Sequence, residues 1–223
     1  MATDVAPVRT EGRFDVDRLR EQRVTSVEQL HEINGVPRKA ILEKHTSYLT
    51  PLLEQFILAS PFFLIATADA EGNCDVSPKG DPAGVVRILD ERTLAIPDRP
   101  GNRRMDGHRN GLENPHIGLI FIIPNVDETV RVNGRAFITS DPELLATMDV
   151  RGKVPKLATV VEIDEVYMHC ARAFLRSGLW QPETWPDPDT IPTLAAIAAE
   201  QKNLPPPDES KGKRQEEYRK VLY

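Results

Sequence analysis

The hydrophobic pattern changes period at Pro61, and that change limits the chain to a small set of folds. Before it, from Arg38 onward, Ile41, Leu42, His45, Tyr48, Leu49, Leu52, Leu53, Phe56 and Ile57 recur at three and four residues. That spacing predicts a largely apolar, buried helical stripe. Thr50-Pro51 divides it into two helices, with Pro51 in a first turn, where a missing N–H costs nothing. Upstream, Thr25-Ser26-Val27-Glu28-Gln29 contains two overlapping capping boxes. They predict a short helix stopped at Asn34-Gly35.

After Pro61 the pattern becomes short β-like runs separated by turn residues, as in an antiparallel sheet. At least six strands are expected. Phe62–Ala68 and Cys74–Pro78 flank a loop at 69–73; Val85–Leu89 and Leu94–Ile96 flank 90–93; His116–Ile123 and Thr129–Thr139 flank 124–128. Ala158–Cys170 reads as one further long strand. A polar helix near Arg103–Glu113 and a short one opened by Asp141-Pro142 interrupt them. Hairpins at this spacing suggest a closed or nearly closed β-barrel with helices outside, because closure removes exposed sheet edges. Three stretches result: an arm at 1–24 that needs a partner surface to become ordered, a barrel with its helices at 25–180, and at 181–223 a proline-rich linker, a helix around Thr193–Gln201 and a charged tail.

Several function classes are disfavoured. The 34 acidic against 28 basic residues, a formal charge of −6, offer no global field for nucleic acid. The longest nearly apolar run, 56–68, is broken by Ser60-Pro61 and falls short of the roughly 18 residues a membrane span needs. No apolar signal region opens the sequence, so a cytoplasmic location is expected. Cys74 and Cys170, the two cysteines, are expected to be reduced and half-buried. No phosphate-loop, nucleophile-elbow, zinc-protease or dinucleotide-binding motif occurs, and the five histidines are scattered singly, so no metal site is expected.

What remains is polar chemistry where strands would ordinarily carry packing residues. In Val76-Ser77-Pro78-Lys79-Gly80-Asp81, a hydroxyl and a lysine two apart share one face of an extended segment, suited to an anion or to ring heteroatoms. A strand end with a solvated lysine is the plainer alternative. In Ile96-Pro97-Asp98-Arg99-Pro100-Gly101-Asn102-Arg103-Arg104, arginines gather where a strand turns into a helix expected to be capped by Asn102. Backbone N–H groups and guanidinium forks converge at such a place, and a phosphomonoester would fit; a solvated basic turn is the alternative. Arg131, Asn133 and Arg135 alternate on one strand face, where like charges need an anion or a carboxylate. Cys170–Trp180 is a strand emptying into a turn with Arg172, Arg176 and Ser177. Its Trp180 either covers a planar cofactor or seals a barrel end.

Together, Ser77-Pro78-Lys79-Gly80-Asp81, Ile96-Pro97-Asp98-Arg99-Pro100-Gly101-Asn102, Arg131-Val132-Asn133-Gly134 and the 170–180 segment resemble the pyridoxamine 5′-phosphate oxidase-like family of FMN-binding split barrels. The resemblance spans about residues 25–223. It implies a mainly β fold, a six-stranded antiparallel Greek-key split barrel, an obligate homodimer, and FMN in a cleft between subunits. It further implies that Lys79, Asn102, Arg103 and Arg104 hold the FMN phosphate, with Ser77, Pro97 and Asp98 near the ring. Arg131 and Trp180 join the cofactor-binding set, and Lys79 and Arg172 are candidates to stabilise the reduced ring. One departure concerns substrate. The family's vitamin-oxidising members carry an R-x-x-x-L-K strand and a C-terminal R-x-H-like motif, where this chain has Asp75-Val76-Ser77-Pro78-Lys79 and Glu217-Tyr218-Arg219-Lys220.

The expected activity is that of an FMN-dependent oxidoreductase passing a hydride through the flavin, with the cofactor supplying the difficult chemistry. A small-molecule substrate and a reduced nicotinamide are the expected reaction partners. A deazaflavin or heme in the same barrel, and a non-catalytic flavin-binding or sensing module, are the alternatives.

Overall fold

The structure is a computed structural model that describes residues 12, 14–205, 216, 218–220 and 222–223. The chain forms two compact units, 1–44 and 45–223. Most of the segment read as a charged tail lies outside the described residues, as do residues 1–11 and 13 of the arm.

In the first unit, α1 (Val16–Glu21) is capped by Asp15, whose carboxylate accepts from the Asp17 N–H. α2 (Val27–Asn34) uses the Ser26 box. The Ser26 hydroxyl accepts from the Gln29 N–H at 3.1 Å, and the Gln29 side chain reaches back to the Thr25 N–H at 3.0 Å. Gly35, at φ 82°, ends the helix. α3 is only Lys39–Leu42. Its Ile41 and Leu42 are exposed, which corrects the expected continuous buried stripe. The second unit opens differently, with Thr46 in a β-bridge to Val166 and Leu49 bonded to the Glu91 carbonyl.

α4 (Pro51–Ala59) carries Pro51 in its first turn and is capped by Thr50. The strands follow: β1 (Phe62–Ala68), β2 (Cys74–Gly80), β3 (Arg87–Asp90), β4 (Thr93–Pro97), β5 (His116–Ile122), β6 (Thr129–Thr139) and β7 (Ala158–His169). All pairings are antiparallel, in the order β2-β1-β5-β6-β7-β4-β3. Two expectations are corrected here. The sheet has seven strands rather than six, and it is open, with β2 and β3 as unpaired edges rather than a closed barrel. Hairpin spacing reports local pairings, but it cannot report whether the first and last strands meet.

The core lies on one face of the sheet. Phe63, Ile65 and Thr67 on β1 stand opposite Phe121, Leu119 and Ile117 on β5, and Val130, Val132, Val161, Ile163, Leu94 and Ile96 continue the layer. The rings of Phe63 and Phe121 are 5.0 Å apart. β6 and β7 slip register at Asn133/Gly134. There the backbones approach so closely that a methyl on Gly134 would run into the Glu162 carbonyl oxygen. α6 (Pro142–Thr147), capped by Asp141, places Leu145 in a second apolar cluster with Met148, Ala95, Ala158 and Val160.

Three local expectations also need correction. The polar helix α5 spans Asp106–Glu113, so Asn102 does not cap it. The 170–180 segment is not a simple turn but contains α7 (Arg172–Ser177). Cys74 and Cys170 are both exposed. The proline-rich stretch folds into two single 3₁₀ turns, Pro182–Thr184 and Pro188–Thr190, and α8 (Leu194–Gln201) begins after its Thr193 cap. No helix among the described residues is long and apolar enough to cross a membrane.

Candidate functional site

The site begins with the inverted polarity of β2. Its half-buried residues are Asp75, Ser77 and Lys79, while Cys74, Val76 and Pro78 are exposed. Pairing with β1 sets Asp75 beside Thr67, Ser77 beside Ile65 and Lys79 beside Phe63. The apolar inner face of β1 therefore passes laterally into a polar strip on the edge strand. From Asp75 to Lys79 the strip runs about 13 Å at the usual rise of a strand.

Opposite this strip, the chain leaves β4 at Pro97 and enters a turn before α5. Asp98 is fixed by its N–H to the Leu157 carbonyl at 2.9 Å. The Asn102 side chain accepts from the Arg104 N–H at 3.0 Å, and Arg103 and Met105 both sit in the left-handed region, at φ 61° and 57°. Side chains with a Cβ are uncommon there and signal a constrained turn. The turn presents Arg103 and Arg104 at the start of α5. Arg104 is bonded to the Asp106 carboxylate, whereas Arg103 and Lys79 have no ion-pair partner among the described residues.

Between strip and turn lies a cleft of about 1160 Å³, somewhat above the sizes usual for small-molecule sites. Its lining combines apolar side chains, Phe63, Ile65, Ile96, Pro97 and Ile117, with cationic and hydroxylic ones such as Lys79, Arg103 and Ser77. His108, on α5, lies 3.7 Å from Asp98, and both line the cleft. At the floor, the Asn110 amide donates to the Thr67 hydroxyl at 3.1 Å.

Seven of the ten expected binding residues meet in this cleft: Ser77, Lys79, Pro97, Asp98, Asn102, Arg103 and Arg104. The other three lie outside it. Arg131 stacks over the Tyr167 ring, 5.3 Å from its centre, and neighbouring Asn133 donates to Glu165 at 2.6 Å. Arg172 is exposed on α7. Trp180 stacks on Phe174 and donates its indole N–H to the Val126 carbonyl at 3.0 Å.

Sequence reasoning missed the end of the cleft beyond Lys79. There Asp81 and Arg99 form an ion pair at 2.5 Å, with side-chain exposures of 5% and 13%. Arg99 also donates to the carbonyls of Met148, at 2.7 Å, and Lys153, at 3.3 Å. The Tyr223 hydroxyl donates to the other Asp81 oxygen at 2.9 Å, and the Arg99 guanidinium lies 5.5 Å from the Tyr223 ring centre. Burial, and then the bond to Asp81, push the Tyr223 hydroxyl above its ordinary value. Asp81 and Arg99 stood inside the quoted motifs, but nothing local marks two opposite charges as partners. No sequence signal ties Tyr223 to either. Among the described residues no cluster of three or more His, Cys, Asp and Glu could hold a metal ion.

Residues 49–170, more than half of the chain, match the family model for pyridoxamine 5′-phosphate oxidase. The chain belongs to this family. The match runs from Leu49 at the start of the sheet unit to the end of β7, so it takes in both the polar strip and the arginine turn of this pyridoxamine 5′-phosphate oxidase-family protein. No curated protein matches the sequence. Among solved structures, HupZ of Group A Streptococcus is 20% identical, with 53% of this chain and 91% of that one covered and a TM-score of 0.44. An FMN-binding protein from Syntrophomonas wolfei is 14% identical, with 70% and 97% covered and a TM-score of 0.40. HutZ, a heme storage protein from Vibrio cholerae, is 15% identical, with 54% and 93% covered and a TM-score of 0.39.

Proposed function

We propose that the protein is an FMN-dependent oxidoreductase acting on a small organic molecule, with a reduced nicotinamide as electron donor. The observation that carries the reading is the meeting of apolar side chains with cations in one cleft. FMN is a planar ring joined through a polyol to a phosphomonoester, and the residues present fit each part. Lys79 and Arg103 are available to a phosphate, since neither is engaged by a carboxylate among the described residues. The left-handed turn at Arg103–Met105 adds backbone N–H groups at the start of α5. Phe63, Ile65, Ile96 and Pro97 supply the flat apolar surface a ring requires. Ser77, half-buried on β2, is placed for a ring heteroatom or a polyol hydroxyl.

FMN, when bound, supplies hydride chemistry, leaving the chain to bind, orient and exclude water. The cationic groups of the cleft favour an anionic occupant, and the apolar ones keep water from the ring face. Thr67 is buried and held by Asn110, which fixes the floor without a mobile polar group.

A second copy of the chain is the proposed partner. The outer face of β1 and β2 carries Phe62 and Val76, exposed by 39% and 61% respectively. The test is the visible spectrum of the protein as purified, followed by heat release of the chromophore and its identification by mass. FMN in near-equal amount to the chain supports the reading. A deazaflavin or heme would move the protein to another cofactor, and a colourless protein that takes up none of the three would end the oxidoreductase proposal.

A further inference from the structure

The two oxygens of the Asp81 carboxylate are divided between two different partners, Arg99 on one and Tyr223 on the other. Asp81 lies two residues past Lys79, roughly 7 Å along the chain at strand rise. A carboxylate left open at that distance is the natural partner for the Lys79 ammonium, and its charge opposes any anion there. Arg99 occupies Oδ2 from the β4 side. Tyr223 occupies Oδ1 and covers it from the cleft.

We infer that Tyr223 is a positioning residue of the cleft: by holding the second oxygen of Asp81 it keeps that carboxylate away from Lys79, leaving the lysine for an anionic ligand. The ring is itself held. The guanidinium groups of Arg99 and Arg151 lie 5.5 Å and 5.9 Å from its centre, so cation–π contacts fix the hydroxyl toward Asp81. Leu222 and Tyr223 line the cleft, so the device stands in the ligand's space rather than behind it. The charged groups facing the hydroxyl are Asp81, which favours the protonated phenol, and Arg99 and Arg151, which oppose it; burial adds to the first effect and is the largest.

The inference depends on the flavin reading only for its probe, FMN, and a second measurement needs no flavin. Tyr223→Phe keeps the ring and both cation contacts and removes the one bond to Asp81. It is expected to weaken FMN binding by about tenfold to a hundredfold, the size of one lost polar contact to a charged group. Adding Asp81→Asn to that variant removes the competing charge, so affinity should return to within about twofold of the starting protein, a rescue that a merely structural tyrosine would not give. Separately, the near-ultraviolet absorbance of the full chain, minus that of Tyr223→Phe, should show a phenol titrating above the ordinary tyrosine value. Ordinary titration would overturn the inference whatever the cofactor. Equal FMN affinity in Tyr223→Phe, or a weakened affinity that Asp81→Asn does not rescue, would also overturn it. Failure of the unaltered protein to take up FMN would end the flavin reading and with it the affinity consequence, while the titration would still decide whether Tyr223 holds Asp81.

Discussion

Replacing Arg99 with Met tests whether the open sheet depends on a single buried ion pair to hold its two sides around the cleft. Asp81 leaves β2 at one edge of the sheet, and Arg99 leaves β4 near the other. Exposures of 5% and 13% place the pair among buried ones, for which removing a single partner costs about 3–5 kcal/mol because a charge is left without compensation. The substitution also takes the Arg99 donor from the Met148 and Lys153 carbonyls, of which the second keeps the Val150 N–H. Urea unfolding followed by the fluorescence of Trp180 and Trp185, both in the sheet unit, should therefore show a loss of about 3–5 kcal/mol with an unchanged slope. Asp81→Asn keeps an acceptor for Arg99 and should cost less, about 1–3 kcal/mol. The double variant should fall short of the sum by about 1–3 kcal/mol, as expected of groups in contact. Glu91→Gln is the control: Glu91 meets Arg92 at 3.7 Å with 68% and 57% exposure, and such pairs contribute about 0–1 kcal/mol. If Arg99→Met cost no more than Glu91→Gln, the argument from burial would be refuted.

Arg103→Ala should weaken FMN binding by about 10-fold to 100-fold, the loss of a charge-assisted bond, while Arg109→Ala, on α5 and outside the cleft, should leave it within about twofold; equal affinities, read by flavin fluorescence, would remove Arg103 from the site. Gly134→Ala should lower the thermal midpoint by roughly 5–10 °C, since its methyl meets the rigid Glu162 carbonyl rather than a movable side chain, and an unchanged midpoint would contradict the close approach of β6 and β7. Asp69 should titrate below its ordinary value, chiefly through the Asn73 side-chain bond and then the Asn73 and Glu71 N–H groups. Its contribution to stability is present above the unfolded-state value and disappears as the pH falls through the lower folded-state one. A carboxyl NMR titration of the native protein reads the shift directly, and Asn73→Ala, which removes the side-chain bond but keeps the N–H groups, should reduce it.

The sheet was legible in the sequence because its strands are bounded by turn chemistry at each end. Phe62–Ala68 and Thr129–Thr139 fall where alternation and flanking polar loops place them. The openness of the sheet was not legible, since it depends on β2 and β3 failing to meet, a relation between segments that share no local pattern. Ser77 and Lys79 could be read as one face because strand geometry alone fixes i and i+2. Arg131, Arg172 and Trp180 could not be separated from the cleft residues in the same way. Each carries suitable chemistry, and only the packing against Tyr167, the α7 helix and the Val126 carbonyl assigns it elsewhere. Asn102 shows the limit of capping rules: it has the right side chain, but it spends its oxygen two residues on, and α5 starts later from a left-handed Met105.

The open sheet leaves β2 and β3 each with one row of backbone donors and acceptors that no strand among the described residues pairs, and each row is poorly suited to strand addition by another chain. On β2, Pro78 removes an N–H from the middle of the row and Lys79 brings a charge. On β3 the row is only four residues long, and its pairing with β4 shifts between Ile88 and Asp90. Edge-to-edge growth into a continuous intermolecular sheet is therefore blocked at both ends. The same strand that bears the polar strip on its inner side leaves Val76 exposed on its outer side, an apolar group available to the proposed second copy through a face rather than an edge.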